Sequence, residues 1–171
     1  MAETYFKIAS VTVGSAGSST ITFTSIPQTY TDLKLVWSLR SSRSSVTDPI
    51  RVSFNSSSSS FTNKYLSGNS TTTVTGSSAQ YVGEAVGNTA TTSTFNNGEL
   101  YIPNYTSANY KSASSNSVSE NNASGTGDAV ATIASTLWSN TAAITSITLS
   151  VDTGPNFLQY STARLYGISN S

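Results

Sequence analysis

The sequence contains no cysteine and no histidine. The first absence excludes a disulfide framework and thiolate chemistry. The second removes the side chain that most often shuttles protons near neutral pH. Together they exclude every Ser-His-Asp or Cys-His arrangement and take away the preferred ligands of zinc. Charge is scarce as well: eight basic and eight acidic residues in 171, for a net charge of zero. A nucleic-acid groove needs a basic stripe to displace counterions, so no nucleic-acid partner is expected. The one basic cluster, Arg40, Arg43 and Arg51, reads as a solvated edge near a turn. No apolar run reaches the length of a membrane span, and Met1-Ala2-Glu3-Thr4-Tyr5 has neither the basic nor the apolar region of a signal peptide. No membrane partner is expected.

What fills the chain is hydroxyl: 35 serines and 26 threonines. Four Asn-X-Ser/Thr sequons start at Asn55, Asn69, Asn104 and Asn122, as chance provides in such a composition. The chain is nevertheless not of disordered type, because Trp37, Trp138 and nine tyrosines supply a core. Length predicts one domain over residues 1–171, burying roughly 70% of the unfolded surface.

Alternation of period two predicts strands. Thr20-Ile21-Thr22-Phe23-Thr24 places Ile21 and Phe23 on one face, and 33–40 turns Leu33, Leu35, Trp37 and Leu39 inward with Lys34, Ser38 and Arg40 outward. Further strands are expected at 6–13, 50–54, 95–102, 130–138, 144–151 and 163–168. Turn chemistry separates them: Gly14 to Gly17, Ile26-Pro27, Asp48-Pro49, Asn96-Asn97-Gly98, Gly125 to Gly127 and Gly154-Pro155. Eight to eleven short strands of this kind predict an all-β, antiparallel β-sandwich, jelly-roll-like. Phe23, Leu35, Trp37, Phe54, Trp138, Ile147, Leu149 and Leu165 are its expected core. Residues 59–66 have room for one helical turn. The Ser-rich tracts 56–60, 67–78 and 112–124 read as exposed loops or edge segments.

Several stretches, in order along nearly the whole chain, carry a resemblance. They are Ile21-Thr22-Phe23-Thr24-Ser25-Ile26-Pro27-Gln28-Thr29-Tyr30-Thr31-Asp32-Leu33, Val52-Ser53-Phe54-Asn55 and Ile102-Pro103-Asn104-Tyr105. To these are added Leu137-Trp138 through Ala142-Ala143-Ile144-Thr145-Ser146-Ile147, and Ser161-Thr162-Ala163-Arg164-Leu165-Tyr166-Gly167-Ile168. Taken together they resemble small β-sandwich virion structural proteins of tailed bacteriophages. The resemblance implies a capsid decoration (cement) protein or a tail-fibre module. Its implied partners are the major capsid protein and further copies of the chain, a trimer being favoured. It transfers no catalytic residue. With the first strand expected from about Tyr5 and no heptads ahead of it, the decoration reading, located at the virion surface, comes first. A fibre or receptor-binding module recognising host glycan is the alternative.

Candidate chemistry is thin. A glycosidase needs two carboxylates about 5–10 Å apart across one sugar bond. Glu84, Glu99, Asp128 and Asp152 are the available acids, with no motif around them, and turn capping or solvent exposure is the simpler reading. Asn121 to Asp128 is oxygen-rich but carries too few acids for a Ca²⁺ loop. No enzyme activity, cofactor or metal is expected. The remaining candidates are Tyr101, Asn104, Tyr105, Asn109 and Tyr110, a mixture of aromatic faces and amides suited to an oligomer interface or a glycan contact.

Overall fold

A computed structural model describes residues 4–69, 73–77, 79–122 and 129–169. These residues form twelve strands and no helix. In chain order they are β1 (Tyr5–Thr12), β2 (Thr20–Phe23), β3 (Asp32–Ser38), β4 (Thr47–Phe54), β5 (Phe61–Gly68) and β6 (Thr73–Gly76). There follow β7 (Tyr81–Val86), β8 (Asn97–Ile102), β9 (Lys111–Ser119), β10 (Val130–Trp138), β11 (Ile147–Val151) and β12 (Thr162–Ile168).

Two antiparallel sheets pack face to face. The larger has the order β1-β12-β3-β8-β9-β10-β5-β6 and the smaller β2-β11-β4-β7. Without the β9–β10 hairpin and the β12–β1 pair, two four-stranded sheets remain, β3-β8-β5-β6 and β2-β11-β4-β7. That interleaved order is a jelly roll, here widened on one side only. All eight residues expected in the core are buried, among them Trp37 and Trp138. They gather with Ile21, Leu33, Ile50, Val52, Leu100, Ile102 and Phe157 in one cluster. Local alternation alone therefore placed the apolar half of the sandwich.

The hydroxyl-rich half departs from expectation. Residues 59–66 are not helical, since Phe61 onward forms β5, paired to β10 from Phe61↔Trp138 to Gly68↔Ala131. The tract 112–124 is not a loop or edge through its first part, because β9 lies in the interior of the larger sheet between β8 and β10. Its inward face is Ala113, Ser115, Ser117 and Ser119, all buried, facing inward beside Thr132, Ala134 and Thr136 of β10.

The reason is space. β7 lies close beneath these strands, and a Cβ placed on Gly83 would stand 2.3 Å from Ser117 Cβ. Only small side chains fit there. Hydroxyls fit because β7 supplies partners: the Glu84 amide donates to Ser117 Oγ (3.3 Å), and Ser117 Oγ donates to the Glu84 carbonyl (3.2 Å). Asn96 Nδ2 donates to the same carbonyl at 2.7 Å, and Asn63 Nδ2 donates to the Tyr81 carbonyl at 2.7 Å. These bonds also cover the free edge of β7, which would otherwise invite strand pairing. Gly83→Ala adds a methyl to this contact at a φ of 144°. It is expected to lower stability by about 1–3 kcal/mol, as overpacking does. A denaturation midpoint equal to wild type would contradict the close approach of β7 to β9.

The arginine cluster also differs from its expected solvated edge. Arg40 lies beyond the end of β3, turns inward and is buried. Its guanidinium donates to the carbonyls of Thr91 (2.8 Å), Thr94 (2.9 Å) and Ala90 (3.0 Å), holding the loop that precedes β8. Arg43 faces the buried Asp48 at 4.0 Å, and Arg51 pairs with Asp152. A planar group with five donors meets converging carbonyls well, which explains a buried arginine with no carboxylate beside it.

Candidate functional site

The five candidate residues do not act as one group. Tyr101 stands on the outer face of β8, and its hydroxyl donates to Asp32 Oδ2 at 2.7 Å. That bond to a carboxylate raises the Tyr101 phenol to about 12. Asp32 also accepts from the Asn104 amide at 2.8 Å, fixing Asn104 at a φ of 50° where the chain leaves β8. Tyr105 is fully buried and donates its hydroxyl to the Pro27 carbonyl, so it is a core anchor and offers no contact face. Its aromatic character was legible in the sequence, whereas its direction depended on the turn after Ile102. Asn104, Asn109 and Tyr110 do come together, lining an open cavity of about 440 Å³ with Pro103, Ser107 and Ser112. Beside it the buried Lys111 donates to the Asn109 carbonyl at 2.6 Å and holds this loop against the sheet end.

A second feature is the outer face of the larger sheet. Register aligns Lys7, Tyr166, Lys34, Tyr101, Ser114, Ser135 and Lys64 in one row across seven strands. The next row contains Arg164, Val36, Glu99, Asn116, Ile133 and Leu66. Lys34 pairs with Glu99 at 2.7 Å, which holds that carboxyl below its usual range. Lys7, Lys34, Lys64 and Arg164 share this surface with Glu99 and with Asp32 beneath the Tyr101 hydroxyl, so among the described residues of these two rows basic side chains outnumber acidic ones. On β5, β9 and β10 the surface becomes aliphatic. Leu66 is 47% exposed, Val118 49% and Ile133 66%, and cross-strand pairing sets Ile133 opposite Leu66 and Ala131 opposite Val118. They line a shallow hollow of about 490 Å³. The exposure follows from parity: Trp138, Thr136, Ala134 and Thr132 point inward, so Ile133 must point out.

A third feature brings together Glu84 and Asp152, two of the four acids considered above for a carboxylate pair. Glu84 pairs with Pro49 across β7 and β4, while the Asp152 amide donates to the Pro49 carbonyl at 2.9 Å from the other side. Two acids far apart in sequence thus flank one residue of β4. With Arg51, Tyr65, Ser67, Tyr81 and Val130 they line a pocket of about 260 Å³. Inside it the Tyr81 hydroxyl donates to Glu84 Oε1 at 3.0 Å and lies 3.3 Å from Thr132 Oγ1. The Tyr65 and Tyr81 rings are 4.7 Å apart. Glu84 Oε2 is buried, and Thr47 of β4 stands beside the carboxyl as a second hydroxyl. Burial pushes the Glu84 carboxyl from 4.5 up to about 7; the charge of Asp48 adds to this, and the Tyr81 bond and Arg43 oppose it. Arg51 holds Asp152 below its usual range.

Of the other acids singled out in the sequence, Glu99 lies on the outer face away from this pocket, and Asp128 lies outside the described residues, as does the 123–128 part of the oxygen-rich loop. Among the described residues no three acids gather into a metal-holding group. In comparisons with protein-family models, curated proteins and solved structures, nothing matches this chain.

Proposed function

We propose that this chain is a structural subunit of a tailed-phage virion, a cement protein that decorates the outer capsid and adheres through the outer face of its eight-stranded sheet. The observation that carries the reading is the aliphatic cluster of Leu66, Val118 and Ile133 on a broad face otherwise made of hydroxyls, amides and a few cations. Such a patch stabilises a seam when covered, and desolvating hydroxyls around it costs far less than desolvating ions. The complementary partner is a low-charge shell surface of the major capsid protein with an acidic rim, to match Lys7, Lys34, Lys64 and Arg164. A closed trimer would bring three such faces to one symmetric position.

The resemblance in sequence to small phage virion proteins supports the same reading. A fibre-tip module that recognises host glycan is the second reading, favoured by the open cavity at Asn104, Asn109 and Tyr110.

Mixing the purified protein with stripped capsids and with host cells in parallel separates the two. A cement protein binds the capsids at fixed symmetric sites and raises their heat resistance, since whatever binds only the assembled shell shifts its equilibrium. Ile133→Lys places an ammonium in the seam and is expected to weaken capsid binding by at least about tenfold, with the thermal midpoint of the free protein unchanged. Binding to cells without binding to capsids would overturn the reading.

A further inference from the structure

We propose that the pocket between Glu84 and Asp152 binds a neutral sugar ring, a function separate from adhesion by the outer sheet face. At about 260 Å³ the pocket has room for one pyranose, and it is lined by β4, β5, β7, the start of β10 and Asp152 just after β11. One part of its wall is apolar and aromatic: Pro49, Val130 and the Tyr65 ring, which the Tyr81 ring supports at 4.7 Å. That wall suits the C–H face of a sugar.

The polar groups opposite choose the ligand class. Two carboxylates disfavour an anion, and the Arg51 guanidinium at the same mouth disfavours a cation. Arg51 and Asp152 hold one another in a fixed pair, so their free edges present a donor and an acceptor side by side. Ser67 Oγ lies 2.7 Å from Thr132 Oγ1 and the Tyr81 hydroxyl is bonded to Glu84, which fixes both hydroxyls in place. A ligand that satisfies this set must both donate and accept at several points while remaining uncharged. Vicinal hydroxyls on a ring do so.

The test uses methyl pyranosides of glucose, galactose, mannose, rhamnose, N-acetylglucosamine and N-acetylgalactosamine, each titrated to tens of millimolar against isotope-labelled protein. At least one is expected to shift the resonances of Tyr65, Ser67 and Glu84 with a millimolar Kd. Tyr65→Ala removes the wall, and Val130→Trp fills the pocket from its rim. Each is expected to weaken that binding by at least about tenfold while leaving the spectrum of the apolar core, and capsid adhesion, unchanged. Using two variants guards against one that misfolds. The proposal is overturned if no pyranoside shifts pocket resonances. It is equally overturned if the shifts persist undiminished in both variants, or fall instead at Asn104, Asn109 and Tyr110. None of these outcomes bears on capsid binding, which is read separately.

Discussion

Trp138→Ala is expected to lower the unfolding free energy by about 3–5 kcal/mol, the range for removing a large aromatic from a packed core. Trp138 ends β10, is 1% exposed and is held by rings on two sides. Phe54 meets it edge-on at 5.6 Å and 71°, and Phe61 stacks on it at 6.1 Å and 24°. Phe54 and Phe61 belong to different sheets and lie 5.5 Å apart, so the indole closes a three-ring contact across the sandwich. Its loss leaves a void that β-strands on both sides are too constrained to fill. The indole Nε1 has no hydrogen-bond partner, so Trp138→Phe is expected to lose much less, about 1–2 kcal/mol. Urea unfolding checks both, with the midpoint moving and the slope constant. A loss for Trp138→Ala below about 1 kcal/mol would contradict the packing described.

The second large effect is a pH dependence centred on Glu84. Its carboxyl rises from 4.5 in the unfolded chain to about 7 in the folded protein, chiefly through burial. The folded state therefore holds the proton more tightly. The contribution of this one group is fully present below pH 4.5, declines as pH rises and is gone once pH passes about 7. The difference amounts to at most about 3 kcal/mol. The charged and polar groups around it are Asp48 and Thr47 of β4, Arg43 before β4, Tyr81 of β7, and the Arg51–Asp152 pair in the same pocket. Glu99 and Asp152 act in the opposite sense: both are held low by cations, so their contribution disappears as pH falls below the ordinary carboxylate range. Maximum stability is thus expected in mildly acid solution. Glu84→Gln keeps the shape without the charge. It is expected to abolish the decline between 4.5 and about 7 and to leave the variant more stable than wild type at alkaline pH. Denaturation midpoints measured across the range check this, and a wild-type curve flat through neutrality would contradict it.

How much of this was legible in the sequence follows from which properties are local. Period-two alternation is local, and it located β1, β2, β3, β4, β8, β10, β11 and β12 and every expected core residue, because one apolar face per strand has a single place to go. Residues 112–119 carry no such pattern. Their serines become an interior strand only because Gly83 brings β7 so near that nothing larger fits, and that distance is set by the other sheet. Arg40 looked like an outward charge until the 87–96 loop folded its carbonyls around it. Tyr105, a plausible contact residue by type, is interior because Pro27 lies beneath it.

The candidate site shows the same division. The sequence by itself determined a neutral, hydroxyl-rich, all-β chain without histidine or cysteine, and with that the kinds of chemistry closed to it. Only the tertiary structure decided which face became aliphatic and which acids met. Strand order placed β4 between β7 and β11, and so set Glu84 and Asp152 on either side of Pro49. Neighbours across a sheet are chosen by topology and register, which no local run of residues encodes.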